Sequence, residues 1–333
     1  MHPGRHHKFM IAQAYILGQL KNIKAATIPV IDFKSRQELV DFIYKEVMAK
    51  KFRKYRVAPD YQKHIYLAIE TNVNNNEPIK FAFPFGAYKL WRLEESPLVD
   101  WAELFTLIYY SNWLKGVTAC YRPGVWFDFS SDDVIVERIN NIPSSDTKAY
   151  IDSFLALLAF LKPYLPDSLD FTLTKVGSRY TEAEFAAELL QKMEDMEKIN
   201  TLSTLTDKQK RMIELNVKLK PGQDSDPRWR EKVHLVHYAY LALSKRRPYY
   251  RTGDKIEVFT KAGDNYIAVG TTKTSVVKFW VGVGTLKRLN DGFIEYILSP
   301  AQLASSQFTW EQVSFDGLSG KNFNNFNKIR IIQ

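Results

Sequence analysis

Two rhythms of apolar and polar positions alternate along the chain. Over residues 35–50, "SRQELVDFIYKEVMAK" places Leu39, Phe42, Ile43 and Val47 on one helical stripe, and Ser35 with Glu38 has the spacing of a capping box. A second helix is predicted over 100–115, with Asp100 as N-cap and Leu104, Phe105, Ile108 and Tyr109 turned inward. Others follow at about 146–162, at about 181–198 behind Thr181 and Glu184, and at about 228–244. Between them run short apolar or alternating segments: "PIKFAFPFG" (78–86), broken at Pro84 and Gly86, then "VTACY" (117–121), "VWFDF" (125–129) after a Pro123-Gly124 turn, and "SLDFTL" (168–173). Each of these reads as a strand.

The clearest connector is "LKPGQDSDPRW" (219–229), with two prolines, a glycine and small polar residues. Beyond residue 250 the texture becomes β-rich, in "KIEVFT", "NYIAVG", "SVVKFWVGVG", "FIEYILS" and "NKIRII". This order predicts a body of mixed strands and helices over 1–220. A helix and β-rich part over 228–333 either extends its sheet or packs on it as a small subdomain. No internal repeat interrupts the pattern.

Composition narrows the class. The 333 residues include 18 Tyr, 21 Phe and 7 Trp, enough aromatic mass for a large packed core. No apolar run approaches the roughly 20 residues that span a bilayer, and "MHPGRHHKF" leads into no signal-like segment. Cys120 is the single cysteine, which excludes an intrachain disulfide and a cysteine-built zinc site and points to a reducing cytoplasm. The net charge of +9 is concentrated at the ends: residues 1–60 hold 12 Lys/Arg against 5 Asp/Glu, and residues 245–333 hold 13 against 7. Such ends suit an anionic ligand, though a solvated basic surface has the same composition.

Candidate chemistry centres on "YRPGVWFDFSSDD" (121–133). Ser130, Ser131, Asp132 and Asp133 fall at a strand's carboxyl end, where α/β sheets bind ligands. Adjacent Asp132 and Asp133 point to opposite faces, so one can serve as a base while the other meets solvent; a plain Asp-rich turn has the same spacing. In "FPFGAYKLWR" (83–92), Lys89 and Arg92 follow a strand end and suit a carboxylate or phosphate. "GTTKTS" (270–275) offers Lys273 and three hydroxyls but lacks P-loop spacing, and Lys278 sits within the next apolar strand. For "DWAE" (100–103) a capping box is the better reading than a catalytic carboxylate pair. His234 and His237, with Glu231 one turn earlier, fit helical packing better than a metal site. Cys120 falls in the expected buried strand, and no nucleophile elbow is present. The aromatic-basic clusters "KKFRKYR" (50–56) and "SKRRPYYR" (244–251) leave single-stranded nucleic acid as an alternative partner.

The order of these segments resembles the isocyanide (isonitrile) synthase family of the pyoverdine/dityrosine biosynthesis group. The carrying residues are Phe83-Pro84 with Lys89, Asp100 with Glu103, Tyr121-x-Pro123-Gly124, and Ser131-Asp132, across about 78–165. The chain departs from the family at Asp133, where a glycine is expected, and at "GTTKTS" and Ser299-Pro300-Ala301, where two histidines are missing. The resemblance implies a Rossmann-like mixed sheet with flanking helices. It also implies condensation of an amino acid with ribulose 5-phosphate to an isonitrile, without a metal or redox cofactor. Asp132 would then lead the acid/base chemistry, with Tyr121 and Asp133 behind it. Lys89, Arg92, Ser131, Lys273 and Lys278 would hold substrate. A catalytically degenerate member that retains binding is a further alternative.

Overall fold

A computed structural model describes residues 11–24, 31–49, 57, 59–85, 97–131, 142–175, 259–260, 265–269 and 282–333, with isolated positions between 181 and 207. In chain order the elements are α1 (Ala12–Lys24), α2 (Arg36–Val47), α3 (Pro59–Asn74), β1 (Ile79–Phe85), α4 (Trp101–Cys120), β2 (Val125–Ser131), α5 (Ser144–Leu161) and β3 (Leu169–Lys175). Then come β4 (Phe259–Thr260), β5 (Tyr266–Val269), β6 (Val283–Leu289), β7 (Gly292–Leu298), α6 (Pro300–Ser305), β8 (Thr309–Gln312) and β9 (Lys328–Ile332). The protein is α/β: one mostly parallel sheet in the order β3-β2-β1-β5-β4, and a second mixed sheet in the order β7-β6-β9-β8.

Two βαβ crossovers build the first sheet, β1-α4-β2 and β2-α5-β3, with all three strands parallel and in register from Ile79↔Val125↔Leu169 to Phe85↔Ser131↔Lys175. β5 joins the other side of β1 in parallel, and β4 closes the edge antiparallel. Strand order therefore reverses at β1. Strand alternation sends Phe81, Phe83, Phe127, Phe129 and Phe171 to one face, where they stack on Tyr110 and Trp113 of α4 and Phe154 of α5. Pro84 lies in a strand paired on both sides, but the β1–β5 ladder ends at Ala82↔Ala268, so its missing N–H falls beyond the last rung.

The helix behind this face corrects one expectation. "VTACY" is the last turn of α4 and its C-cap rather than a strand: Tyr121 donates its N–H to the Val117 carbonyl at 2.9 Å. Buried residues occupy most positions of α4, leaving only a narrow stripe at Tyr109, Asn112, Lys115 and Ala119, and the short apolar end of such a helix looks like a strand in sequence. Cys120 accordingly ends a helix, half-buried, with its thiol pKa raised by burial and then by Glu46. The turn after it needs glycine. Gly124 has φ +73°, and a Cβ there would lie 1.9 Å from the Ser168 carbonyl oxygen.

Two of the three expected capping boxes form in full; at Ser35 only the serine half forms, and Glu38 accepts from the Lys34 N–H at 2.8 Å. Ser35 Oγ accepts from the Glu38 N–H at 3.2 Å, and Thr181 and Glu184 exchange reciprocal bonds. The one on α4 also joins the two sheets. Asp100 Oδ1 accepts from the N–H groups of Ala102 (2.6 Å) and Gly284 (3.3 Å), while Glu103, fully buried, accepts from the Asp100 N–H (2.7 Å) and the Tyr150 hydroxyl (2.8 Å). At Gly284 the β6 backbone runs so close to α4 that a Cβ would meet the Ala102 nitrogen at 2.2 Å. Trp101 completes the joint, donating its ring N–H to the Lys328 carbonyl and packing edge-on to Phe326 at 4.8 Å. α1 covers the same inner face of the second sheet: the Ala12 N–H donates to Glu311 and the Tyr15 hydroxyl to Glu295. The predicted connector at 219–229 and helix at 228–244 lie outside the described residues.

Candidate active site

The face of the parallel sheet opposite the phenylalanines is built differently. Trp126 and Asp128 of β2 point there, beside Lys80 and Ala82 of β1, Tyr266 and Ala268 of β5, and Thr172 and Thr174 of β3. Asp128 is fully buried at 0% exposure, and its Oδ1 accepts from the hydroxyls of Thr172 and Thr174, each at 2.9 Å. Trp126 donates its ring N–H to the Thr172 hydroxyl at 2.8 Å, so the threonine relays orientation from the indole to the carboxylate. Each partner sits on the neighbouring strand in or next to the Asp128 row, which makes the arrangement a direct product of register.

Small and large rows shape the surface around that carboxylate. Ala268, Ala82, Asp128 and Thr172 form one row across four strands, and both alanines are fully buried. One row toward the amino edge, Tyr266, Lys80 and Trp126 stand side by side, with the Trp126 and Tyr266 rings 5.8 Å apart and the Lys80 ammonium 6.0 Å from the Tyr266 ring. The result is an aromatic wall followed by a low alanine floor with a carboxylate at its end. With strands about 4.8 Å apart, the floor from Ala268 to Asp128 is about 10 Å wide. It lies mid-strand, at the centre of β1 and β2, and spans the β1–β5 boundary where strand order reverses; open α/β sheets take ligands beyond the carboxyl ends at such a boundary.

No family model and no curated protein matches the chain. Its fold is found in a solved structure. The crystal structure of the PvcA protein from Pseudomonas aeruginosa superposes with a TM-score of 0.55, covering 89% of this chain and 100% of that one at 15% identity. At that identity the likeness is one of fold.

Of the site residues expected from sequence, Ser131 and Tyr121 fall among the described residues. Ser131 is buried at the last position of β2, aligned with Phe85 and Lys175 on the neighbouring strands. Tyr121 lies at the opposite, amino-terminal edge of the sheet. Its hydroxyl donates to the carbonyls of Glu77 (2.7 Å) and Asn72 (3.4 Å), and its pKa is pushed up to about 12, chiefly by burial and then by Glu77. That hydroxyl ties the β1 approach to the end of α4, about six strand residues, or roughly 20 Å, from the carboxyl edge. Lys89, Arg92, Asp132, Asp133, Lys273 and Lys278 lie outside the described residues, as do His234, His237 and Glu231. Among the described residues no cluster of His, Cys, Asp or Glu has the makings of a metal site, and no helix is long and apolar enough to cross a membrane.

Asp128 was the residue hidden in plain view. An acidic residue in "VWFDF" breaks a strand of aromatics, and period two places it with Trp126 on the face away from Val125, Phe127 and Phe129. Two clefts are lined by described residues, and both lie on the second sheet. One, of about 700 Å3, runs between α1 and the β6–β7 turn beside Tyr15, Arg288 and Asp291. The other, of about 290 Å3, lies beside Trp101, Trp310, Lys328 and Arg330.

Proposed function

We propose that the protein is a biosynthetic enzyme of the isonitrile-synthase kind, joining the amine of an amino acid to the ketone of a phosphorylated sugar such as ribulose 5-phosphate. The observation that carries this reading is Asp128, a buried carboxylate held by two threonine hydroxyls one strand from the point where the order of the mostly parallel sheet reverses. Supporting it are the ordered Phe83-Pro84, Asp100/Glu103, Tyr121-x-Pro123-Gly124 and Ser131-Asp132 segments and the fold shared with the PvcA protein.

A substrate ammonium is the natural partner of such a carboxylate. Asp128 binds it by a charge-assisted hydrogen bond, strengthened by the low dielectric of the site. The same carboxylate takes a proton as the amine becomes a nucleophile. Attack on the sugar ketone and loss of water then give an imine. The small Ala82 and Ala268 side chains beside Asp128 and the neighbouring Tyr266–Trp126 pair suit an aromatic amino acid. Lys89, Arg92, Lys273 and Lys278 are the candidate anchors for phosphate and substrate carboxylate, with Asp132, assisted by Asp133, as a second acid/base group. In this reading no metal or redox cofactor takes part.

The test uses Asp128→Asn, whose amide oxygen still accepts from both threonines while the charge is lost. Thermal-shift titrations with ribulose 5-phosphate and aromatic amino acids are run on both proteins, with mass spectrometry and the infrared absorption of the isonitrile group as product readouts. Wild type is expected to bind both substrates and form product, and the variant to lose amino-acid binding while keeping that of the sugar phosphate. Unchanged amino-acid binding in the variant would sink the role of Asp128. Binding of both substrates without product would make the chain a binding protein of the same fold.

A further inference from the structure

The outer face of the second sheet segregates its charges. Strand alternation puts Lys287 of β6, Ile294 and Tyr296 of β7, Trp310 of β8, and Lys328 and Arg330 of β9 on the side away from α1 and α4. The carboxylates of these four strands, Glu295 and Glu311, both lie on the inner side, tied to Tyr15 and to the Ala12 N–H. Arg288 approaches Glu311 at 3.8 Å on that side too. The described strands thus carry three cations on this face and no carboxylate, Lys287 and Lys328 exposed and Arg330 half-buried against Trp310 and Phe308.

Apolar surface is concentrated in the same place. Of the eight large apolar side chains that the described residues leave exposed, Leu289, Ile294, Tyr296 and Trp310 all belong to this face. Trp310 is 44% exposed, with the Lys328 ammonium 4.2 Å and the Arg330 guanidinium 4.5 Å from its ring, and Phe308 meets it edge-on at 5.6 Å. The 290 Å3 cleft opens beside these groups, and the exposed Asn324 supplies amide donors and acceptors at its rim, while the Asn325 amide N–H groups are given to the Leu98 and Val99 carbonyls. A second copy of the chain is a poor occupant, because a two-fold contact would set these cations against their own copies. Aromatic rings exposed among cations, with base-edge hydrogen-bonding groups alongside, match an unpaired nucleic-acid strand.

We propose that this face binds single-stranded nucleic acid. Bases stack on Trp310 and Tyr296, Lys287 and Lys328 meet the phosphates, and the cleft beside Asn324 receives one base edge. This activity is independent of the parallel sheet and its Asp128.

Fluorescence anisotropy of a labelled oligothymidylate of about 12 nucleotides tests it with the full chain, against Trp310→Ala, Lys328→Gln and a distant control, Leu67→Ala, also on exposed surface. Trp310→Ala is expected to weaken binding about tenfold, the loss of one stacked base. Lys328→Gln should lower the slope of log affinity against log salt by about 0.7, one phosphate contact on a single strand. Leu67→Ala should change neither, and duplex of equal charge should bind more weakly. Thermal melts of all four proteins establish that they fold. Three results would overturn the proposal: no binding, binding equally tight to duplex or heparin and indifferent to Trp310, or self-association through this face abolished by Trp310→Ala.

Discussion

Tyr150→Phe removes one oxygen from the buried joint between α4 and α5 and tests how that joint holds the two sheets. In the wild type the Tyr150 hydroxyl donates at 2.8 Å to Glu103, and both residues are at or near zero exposure. A hydrogen bond to a charged partner contributes about 1.5–3 kcal/mol, and nothing in the phenylalanine ring replaces it. An unfolding entropy of about 2.1 cal/mol/K per residue gives roughly 0.7 kcal/mol/K for 333 residues, so the melting temperature should fall by about 2–4 °C. A second readout comes from pH. Burial, the Glu103 charge and the hydrogen bond to it raise the Tyr150 pKa well above its usual 10, so the folded protein keeps this proton when the unfolded chain releases it. The contribution is fully present below pH 10 and is lost at about 1.4 kcal/mol per pH unit above it, because the unfolded state then binds fewer protons. Urea denaturation of both proteins from pH 8 to 11 should show a deficit in the variant that is constant up to pH 10 and closes beyond it. A variant as stable as wild type at pH 8, or a deficit that persists unchanged to pH 11, would refute the reasoning.

Other outcomes follow from single contacts. Gly124→Ala forces a side chain into the left-handed region and onto the Ser168 carbonyl; it should cost at least about 1–3 kcal/mol and sharply reduce soluble yield, read by urea denaturation and expression. Gly284→Ala pushes β6 off the start of α4, and limited proteolysis should then release fragments cut beyond residue 282, where wild type resists. Cys120 should alkylate more slowly than a free thiol at pH 8, since burial and Glu46 hold its pKa up, and should react freely in urea.

Local signals carried well where one interaction decides the outcome. Capping boxes at Ser35, Asp100 and Thr181 depend on two side chains three residues apart; those at Asp100 and Thr181 form in full, and at Ser35 the serine caps the helix while Glu38 turns to the Lys34 N–H. Strands β1, β2 and β3 were legible because large apolar residues recur at every second position, as in Ile79-Phe81-Phe83, Val125-Phe127-Phe129 and Leu169-Phe171-Leu173. The end of α4 was not, because a helix buried over most of its surface keeps only a narrow exposed stripe, and in its last turn that stripe holds Ala119 and Cys120 rather than charged residues. Asp100 and Glu103 were rightly read as caps, yet their second duty needs Gly284 and Tyr150, 184 and 47 positions away, and no local window contains it. The site behaved likewise. Asp128 is one acid in a strand until register sets Thr172 and Thr174 beside it. Ser131 and Tyr121 were picked from one stretch of thirteen residues, but they stand at opposite edges of the sheet, since a strand's length separates what the sequence sets close together.

The place of β5 in the parallel sheet has a consequence during synthesis. β1 ends at residue 85, but its partner on that side begins at residue 266. At about 5–20 residues per second, a ribosome leaves that edge open for roughly 10–35 seconds. Through this interval the nascent chain presents an unpaired, aromatic-rich strand, the kind of edge to which other chains add. Truncated products ending before β5 should therefore aggregate rather than accumulate as a folded amino-terminal fragment, and the yield of intact protein should depend on how well the cell shields that edge while it waits.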